Sequence, residues 1–82
     1  MQISFFDSNG NLLRYNVKNR IRQFRLSLGY SQDKFCQLAC ISKPTLQDYE
    51  LNRQQPGACN LFTILFILEC SFDALFYLEP VI

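Results

Sequence analysis

The chain has 82 residues, 49% hydrophobic and 18% charged, with a net charge of +1. That length fits one domain with one core, and so apolar a composition excludes a disordered chain. There is no histidine, no glycine-rich phosphate loop and no carboxylate pair at a workable spacing, so no catalytic constellation is present and no enzyme activity is expected.

The charge is unevenly spread. All basic residues lie between Arg14 and Arg53, where eight bases less the three acids Asp33, Asp48 and Glu50 leave +5. From Gln54 onward there are only acids: Glu69, Asp73 and Glu79. The chain is therefore bipolar, basic in its middle and acidic and apolar toward its end. Its longest apolar run, residues 61–68, falls well short of the ~20 residues that span a bilayer, so no membrane partner is expected. The four cysteines have no CxxC spacing, so no metal is expected, and Cys36 and Cys70 read as small core residues. Unpaired thiols, and a polar strand-like run directly after Met1 in place of a signal peptide, point to the cytoplasm.

Residues 1–15 read as a β-hairpin. Ile3 and Phe5 alternate with Gln2 and Ser4, residues 7–11 (DSNGN) carry an Asn-Gly turn signal, and residues 12–15 return. A lone hairpin is marginal in water, so it needs the core, another strand or another subunit. Asn16 then reads as the cap of a first helix with Val17, Ile21, Phe24 and Leu28 at helical spacing, stopped by Gly29.

Residues 31–50 (SQDKFCQLACISKPTLQDYE) hold two short helical segments, capped by Ser31 and Ser42. Each serine can accept from an orphan N–H of the first turn, an interaction of roughly 1 kcal/mol. Phe35, Cys36 and Ala39 give the first segment an apolar face, and Leu46 and Tyr49 do so for the second. Only Cys40 and Ile41 separate the first segment from the second cap, which forces a sharp crossing, the geometry of a helix-turn-helix. With Leu46 and Tyr49 inward, Lys43, Pro44, Gln47, Asp48 and Leu51 turn outward. Lys43 is a cationic donor, Gln47 can donate and accept, Asp48 can only accept, and Pro44 offers apolar contact. Pro44 has no N–H, so Ser42 is expected to cap through Thr45.

After Asn52, residues 53–57 (RQQPG) form a loop. Residues 58–69 form a fourth helix, with Ala58, Leu61, Ile64, Leu65 and Leu68 as its core stripe and Phe62 and Phe66 on a flank. Ser71 caps a short fifth helix, residues 72–76. The tail, residues 77–82, can form an edge strand on the hairpin of the same or a neighbouring chain, since Pro80 excludes a central one.

In these features the chain resembles the phage-repressor helix-turn-helix group of Cro/cI or Xre type. Gln32 after the cap, Ile41 and Ser42 at the turn, the Leu46–Tyr49 pair, Glu50, Arg25 upstream, and Pro56, Leu68, Ser71, Asp73 and Leu75 downstream carry the likeness, over residues 17–76. The group usually has glycine where this chain has Cys40, and often where it has Asn52. Asparagine tolerates a left-handed backbone better than other side chains, whereas cysteine there implies strain or a differently shaped turn.

The resemblance implies a mainly α fold: a five-helix lambda-repressor-like domain over residues 16–76, helix-turn-helix at 31–52, with an added N-terminal β-hairpin (1–15) and a C-terminal extended tail (77–82). It implies a structural ion pair between Arg25 and Glu50. Lys43, Pro44, Gln47 and Asp48 would face the DNA groove, and Gln32, Thr45, Asn52 and Arg53 would face the backbone. The expected function is a repressor-like, sequence-specific transcription regulator that binds a palindromic double-stranded operator as a homodimer, without cofactor or small-molecule ligand. The alternative is a helix-turn-helix scaffold for protein–protein contact, as an antirepressor or assembly factor. Surplus apolar surface at Phe62, Phe66, Ile67, Phe76, Val81 and Ile82 is expected to form the dimer interface, unless the hairpin folds back over Phe62 and Phe66 within one chain.

Overall fold

The computed structural model describes residues 1–81. Ile82, one of the expected interface residues, lies outside the described residues. In chain order the elements are strands β1 (Gln2–Phe6) and β2 (Leu12–Asn19), helices α1 (Ile21–Ser27), α2 (Gln32–Ala39), α3 (Lys43–Glu50), α4 (Ala58–Leu68) and α5 (Phe72–Leu75), and strand β3 (Phe76–Pro80).

The hairpin forms as expected, but its second strand runs four residues further than residue 15. β2 pairs antiparallel with β1 on one side, Phe5 opposite Leu13, and with β3 on the other, Val17 opposite Leu78. Asn16 therefore does not cap a helix, and Val17 is a strand residue. Pairing on both sides outweighs the local helix signal of an Asn-Val pair, whose helix propensity is poor. The cap position is Arg20, whose side chain makes no capping bond; Oδ1 of buried Asn19, one residue before it, accepts the Ile21 N–H at 3.0 Å. Val17 still reaches the core, because it points inward from the strand that leads into α1.

The C-terminal segment pairs within the same chain, and Pro80 sits on an edge strand as its missing N–H demands. Gly29, at φ 77, ends α1: its N–H donates to Leu26 O, and that of Tyr30 to Arg25 O. This is the Schellman arrangement that satisfies the last carbonyls of a helix.

Ile21, Phe35, Leu46, Ile64 and Leu75 are fully buried, with Ala39, Tyr49, Leu68 and Phe76 around them. Three expectations about the core fail. Leu28 is exposed, because α1 ends one residue before it. Ala58 is exposed at the first turn of α4. Phe76 starts β3 instead of closing α5 and is buried against the core, stacked on Phe72 at a centroid distance of 4.8 Å.

The molecule is elongated, 47 × 22 × 21 Å. Its radius of gyration, 14.3 Å, exceeds the roughly 12 Å of a compact chain of this length. The helices form the compact body, and the sheet projects from it.

Candidate nucleic-acid interface

α2 and α3 cross as the two-residue connection requires. Ser31 Oγ accepts from Lys34 N at 3.0 Å, and Ser42 Oγ accepts from Thr45 N at 3.3 Å. The Ser42 and Thr45 hydroxyls also share a hydrogen bond of 2.8 Å. Cys40 takes the left-handed conformation, φ 56, so the turn has the usual shape and the strain falls on this residue.

α3 is fixed from beneath and from its C-terminal end. Leu46 and Tyr49 are buried, and the Tyr49 hydroxyl accepts from Asn60 Nδ2 at 2.9 Å. Arg25 grips Glu50 with two contacts, Nε to Oε2 at 2.6 Å and Nη2 to Oε1 at 3.2 Å. Both side chains are almost fully buried. The third guanidinium nitrogen donates to Tyr30 O at 2.8 Å, and Gln32 Nε2 donates to Glu50 Oε1 at 3.0 Å. The expected ion pair is thus the centre of a network tying α1 and α2 to the end of α3. Its charges are matched and hydrogen-bonded, the condition under which burying them is tolerable.

A second network was not legible in advance. The Asn19 side chain donates to Tyr49 O at 2.9 Å and to Gln55 Oε1 at 2.7 Å, and its backbone N–H donates to Asn52 Oδ1 at 2.8 Å. Gln55 Nε2 donates to Asn52 Oδ1 and to Val17 O. Asn52, at φ 58, accepts the left-handed turn that the sequence assigns to it. Its side-chain oxygen is engaged inside the protein. The network fastens the end of β2 to the chain leaving α3.

The outer face of α3 presents Lys43, Pro44, Gln47 and Leu51, all exposed, with Thr45 and Asp48 half-buried beside them. Lys43 Nζ lies 3.2 Å from Asp33 of α2, and Asp48 lies 3.3 Å from Arg53. Both pairs are solvent-accessible, and such pairs are weak enough to exchange partners. Next to Gln47 an open hollow of about 370 Å³ is lined by Arg22, Gln32, Glu50, Leu51 and Arg53. The structure therefore brings Gln32, Gln47 and Arg53 together. It adds Arg22, which the sequence reading missed, although it lies one turn before Arg25 on the same helix face and could have been found from that spacing.

Of the surfaces expected at a dimer interface, Phe62 is 64% and Phe66 81% exposed, with Val81 at the margin of exposure. The hairpin does not fold back over the two phenylalanines. Ile67 is half-buried against the core, and Phe76 is buried in it, so most of their apolar surface is already covered. Cys36 and Cys70 pack against the core, and burial pushes both thiols up, helped at Cys36 by the negative charges of Asp33 and Glu50. Among the described residues no cluster of three or more metal-ligating side chains occurs, and no helix is long and apolar enough to cross a membrane.

A family model described as "Helix-turn-helix" matches residues 21–75. The match runs from the first residue of α1 to the last of α5 and leaves out the sheet. No curated protein matches the chain. Five helices in this order, the capped α2–turn–α3 unit and the family match lead to one assignment: the chain belongs to the helix-turn-helix family, of Cro/cI and Xre type.

Proposed function

We propose that this protein is a cytoplasmic, sequence-specific transcription regulator of repressor type that binds a palindromic double-stranded operator as a homodimer. The observation that carries this reading is the rigid mounting of α3. Its C-terminal half is held by Arg25–Glu50 and by Asn19, while Lys43, Pro44 and Gln47 stay exposed beside a hollow holding Arg22 and Arg53. Such a helix can enter a major groove without reordering, and flanking cations on the α1 and α3 sides can meet phosphates. Lys43 would donate to guanine O6/N7, and Gln47 would bridge adenine N6/N7. Asp48 would accept from a cytosine amine on leaving Arg53, which would be freed for a phosphate. Gln32, Thr45 and Asn52 would line the backbone contact, Gln32 near the first turn of α2. Two recognition helices about one DNA turn apart, ~34 Å, would read a palindrome.

The test is a gel shift of the purified chain against a random-sequence duplex pool at low salt. Retardation followed by enrichment of a palindromic site is expected. No retardation of any duplex at ~50 mM salt and micromolar protein would end the DNA reading, since even non-specific binding has a Kd of ~10⁻⁴–10⁻⁶ M.

One observation favours a second reading, a helix-turn-helix scaffold for protein contact, as in an antirepressor or assembly factor. Phe62 and Phe66 form an exposed ridge on α4, flanking a shallow groove of about 240 Å³ with Leu65 and Cys70. That reading expects no retardation.

A further inference from the structure

The sheet has one apolar face and one polar face. Side chains alternate along a strand, and the register places Ile3, Phe5, Leu13, Tyr15, Leu78 and Pro80 on the same side. No charged residue stands among them. The opposite side carries Gln2, Ser4, Arg14, Asn16, Lys18 and Glu79, with Phe6 and Leu12 at its tip and Tyr77, opposite Lys18 and covered by the Arg20 guanidinium at 4.1 Å, at its base. The apolar side is the one that carries buried Asn19 and Phe76 where the strands enter the helical body. It is a continuation of the core surface that runs past the last helix and is left open. Phe5 stacks on Tyr15 at a centroid distance of 6.1 Å, yet remains 44% exposed, and Leu78 is 50% exposed.

We propose that this face is where a second copy of the chain docks, same face against same face. The proposal deepens the homodimer reading above and rests on it for oligomeric state, but not for DNA binding. Three observations select the occupant. The face is uncharged, so it offers nothing to a charged peptide, a nucleic acid or a lipid headgroup, whereas it is complementary to itself about a two-fold axis. The projecting sheet leaves its apolar face uncovered, and a second sheet laid over it at the usual ~10 Å spacing covers that face with another apolar one. Finally, half-exposed side chains of this size leave on the order of 500 Å² open per copy, so a pair would bury on the order of 1,000 Å² in total, the lower bound for a specific interface. The ridge of Phe62 and Phe66 on α4 stays outside this contact.

Sedimentation equilibrium of the full chain gives the first test. Wild type is expected to be dimeric at ~100 µM, well above a micromolar Kd. Phe5→Glu is expected to weaken the dimer by roughly a hundredfold or more, because it places a charge in a dry contact, with the helical circular dichroism retained. Phe66→Glu should leave the dimer unchanged. A wild-type monomer, or a Phe5→Glu dimer of normal strength, overturns the proposal. So does loss of the dimer in Phe66→Glu, which would place α4 in the interface. Should Phe5→Glu unfold, isotope-filtered NOEs from an equal mixture of labelled and unlabelled wild-type chains decide. Contacts between copies at Phe5, Tyr15 and Leu78 support the face-to-face pair; contacts at Phe62 and Phe66, or none, overturn it. A gel shift run in parallel separates the readings, since a dimer that retards no duplex keeps this interface and loses only the DNA function.

Discussion

The backbone N–H of Asn19, the last residue of β2, donates to Asn52 Oδ1, just beyond α3, at 2.8 Å. Through this bond the sheet and α3 share an anchor. Asn52 does two things at once: it holds a left-handed backbone at φ 58, and its oxygen accepts from Asn19 and Gln55. The two can be separated. Asn52→Gly keeps the backbone and loses the acceptor, at about 1 kcal/mol. Asn52→Ala loses the same acceptor and keeps a Cβ at positive φ, a conformation that costs alanine about 1–2 kcal/mol relative to glycine, so it should be less stable than Asn52→Gly by about that much. Urea melts measure the gap; equal losses would mean that the backbone conformation contributes nothing.

Glu50→Ala should destabilise the fold by about 3–5 kcal/mol, because it leaves the Arg25 guanidinium buried without its carboxylate. A loss well under 1 kcal/mol in urea melts would show that Arg25 finds another partner or reaches water.

Cys40 stands at φ 56 in the turn between α2 and α3, largely exposed. Cys40→Gly removes the clash of Cβ with the following carbonyl and should raise stability by up to about 1 kcal/mol, after the added chain entropy of glycine is counted. Cys40→Val should lower it. A lower denaturation midpoint for the glycine variant would show that the thiol makes a contact worth more than the strain.

For DNA binding, three variants should give three signatures. Lys43→Ala should cost about 1–3 kcal/mol and alter base preference, as expected of a base-edge contact. Gln32→Ala should weaken all sequences alike. Arg22→Ala should lower the slope of log K against log salt by about 1, the loss of one phosphate contact. An unchanged slope in fluorescence-anisotropy titrations would remove Arg22 from the interface.

The turn of the β1–β2 hairpin is built on Asp7. Its Oδ1 accepts the N–H groups of Asn9 and Asn11, both at 2.9 Å. These bonds, that from Asn11 foremost, hold the Asp7 carboxyl below its ordinary value of 3.8. A depressed folded pKa stabilises above the unfolded value and is lost as pH falls through the folded one. The turn should therefore hold at neutral pH and loosen only in acid below 3.8. The Asn9 and Asn11 amide shifts in an NMR titration should report that midpoint; one at or above 3.8 would mean the bonds do not form in solution.

The sequence by itself determined the helix-turn-helix. Ser31 and Ser42 cap their helices, Leu46 and Tyr49 fix which face of α3 is buried, and Gly29 ends α1, because caps, periodicity and positive-φ positions act over a few residues and are written locally. The Arg25–Glu50 pair was legible only through the family resemblance, since nothing local links residues 25 apart in sequence. Only the tertiary structure decided where β2 stops, because Asn16 and Val17 carry a helix signal that pairing with β1 and β3 outweighs. It alone placed Asn19 against Asn52 and Gln55, brought Arg22 beside Gln32 and Arg53, buried Phe76, and left Phe62 and Phe66 bare. Apolar character says that a side chain seeks cover; which of several apolar surfaces receives it depends on long-range packing that no local pattern encodes.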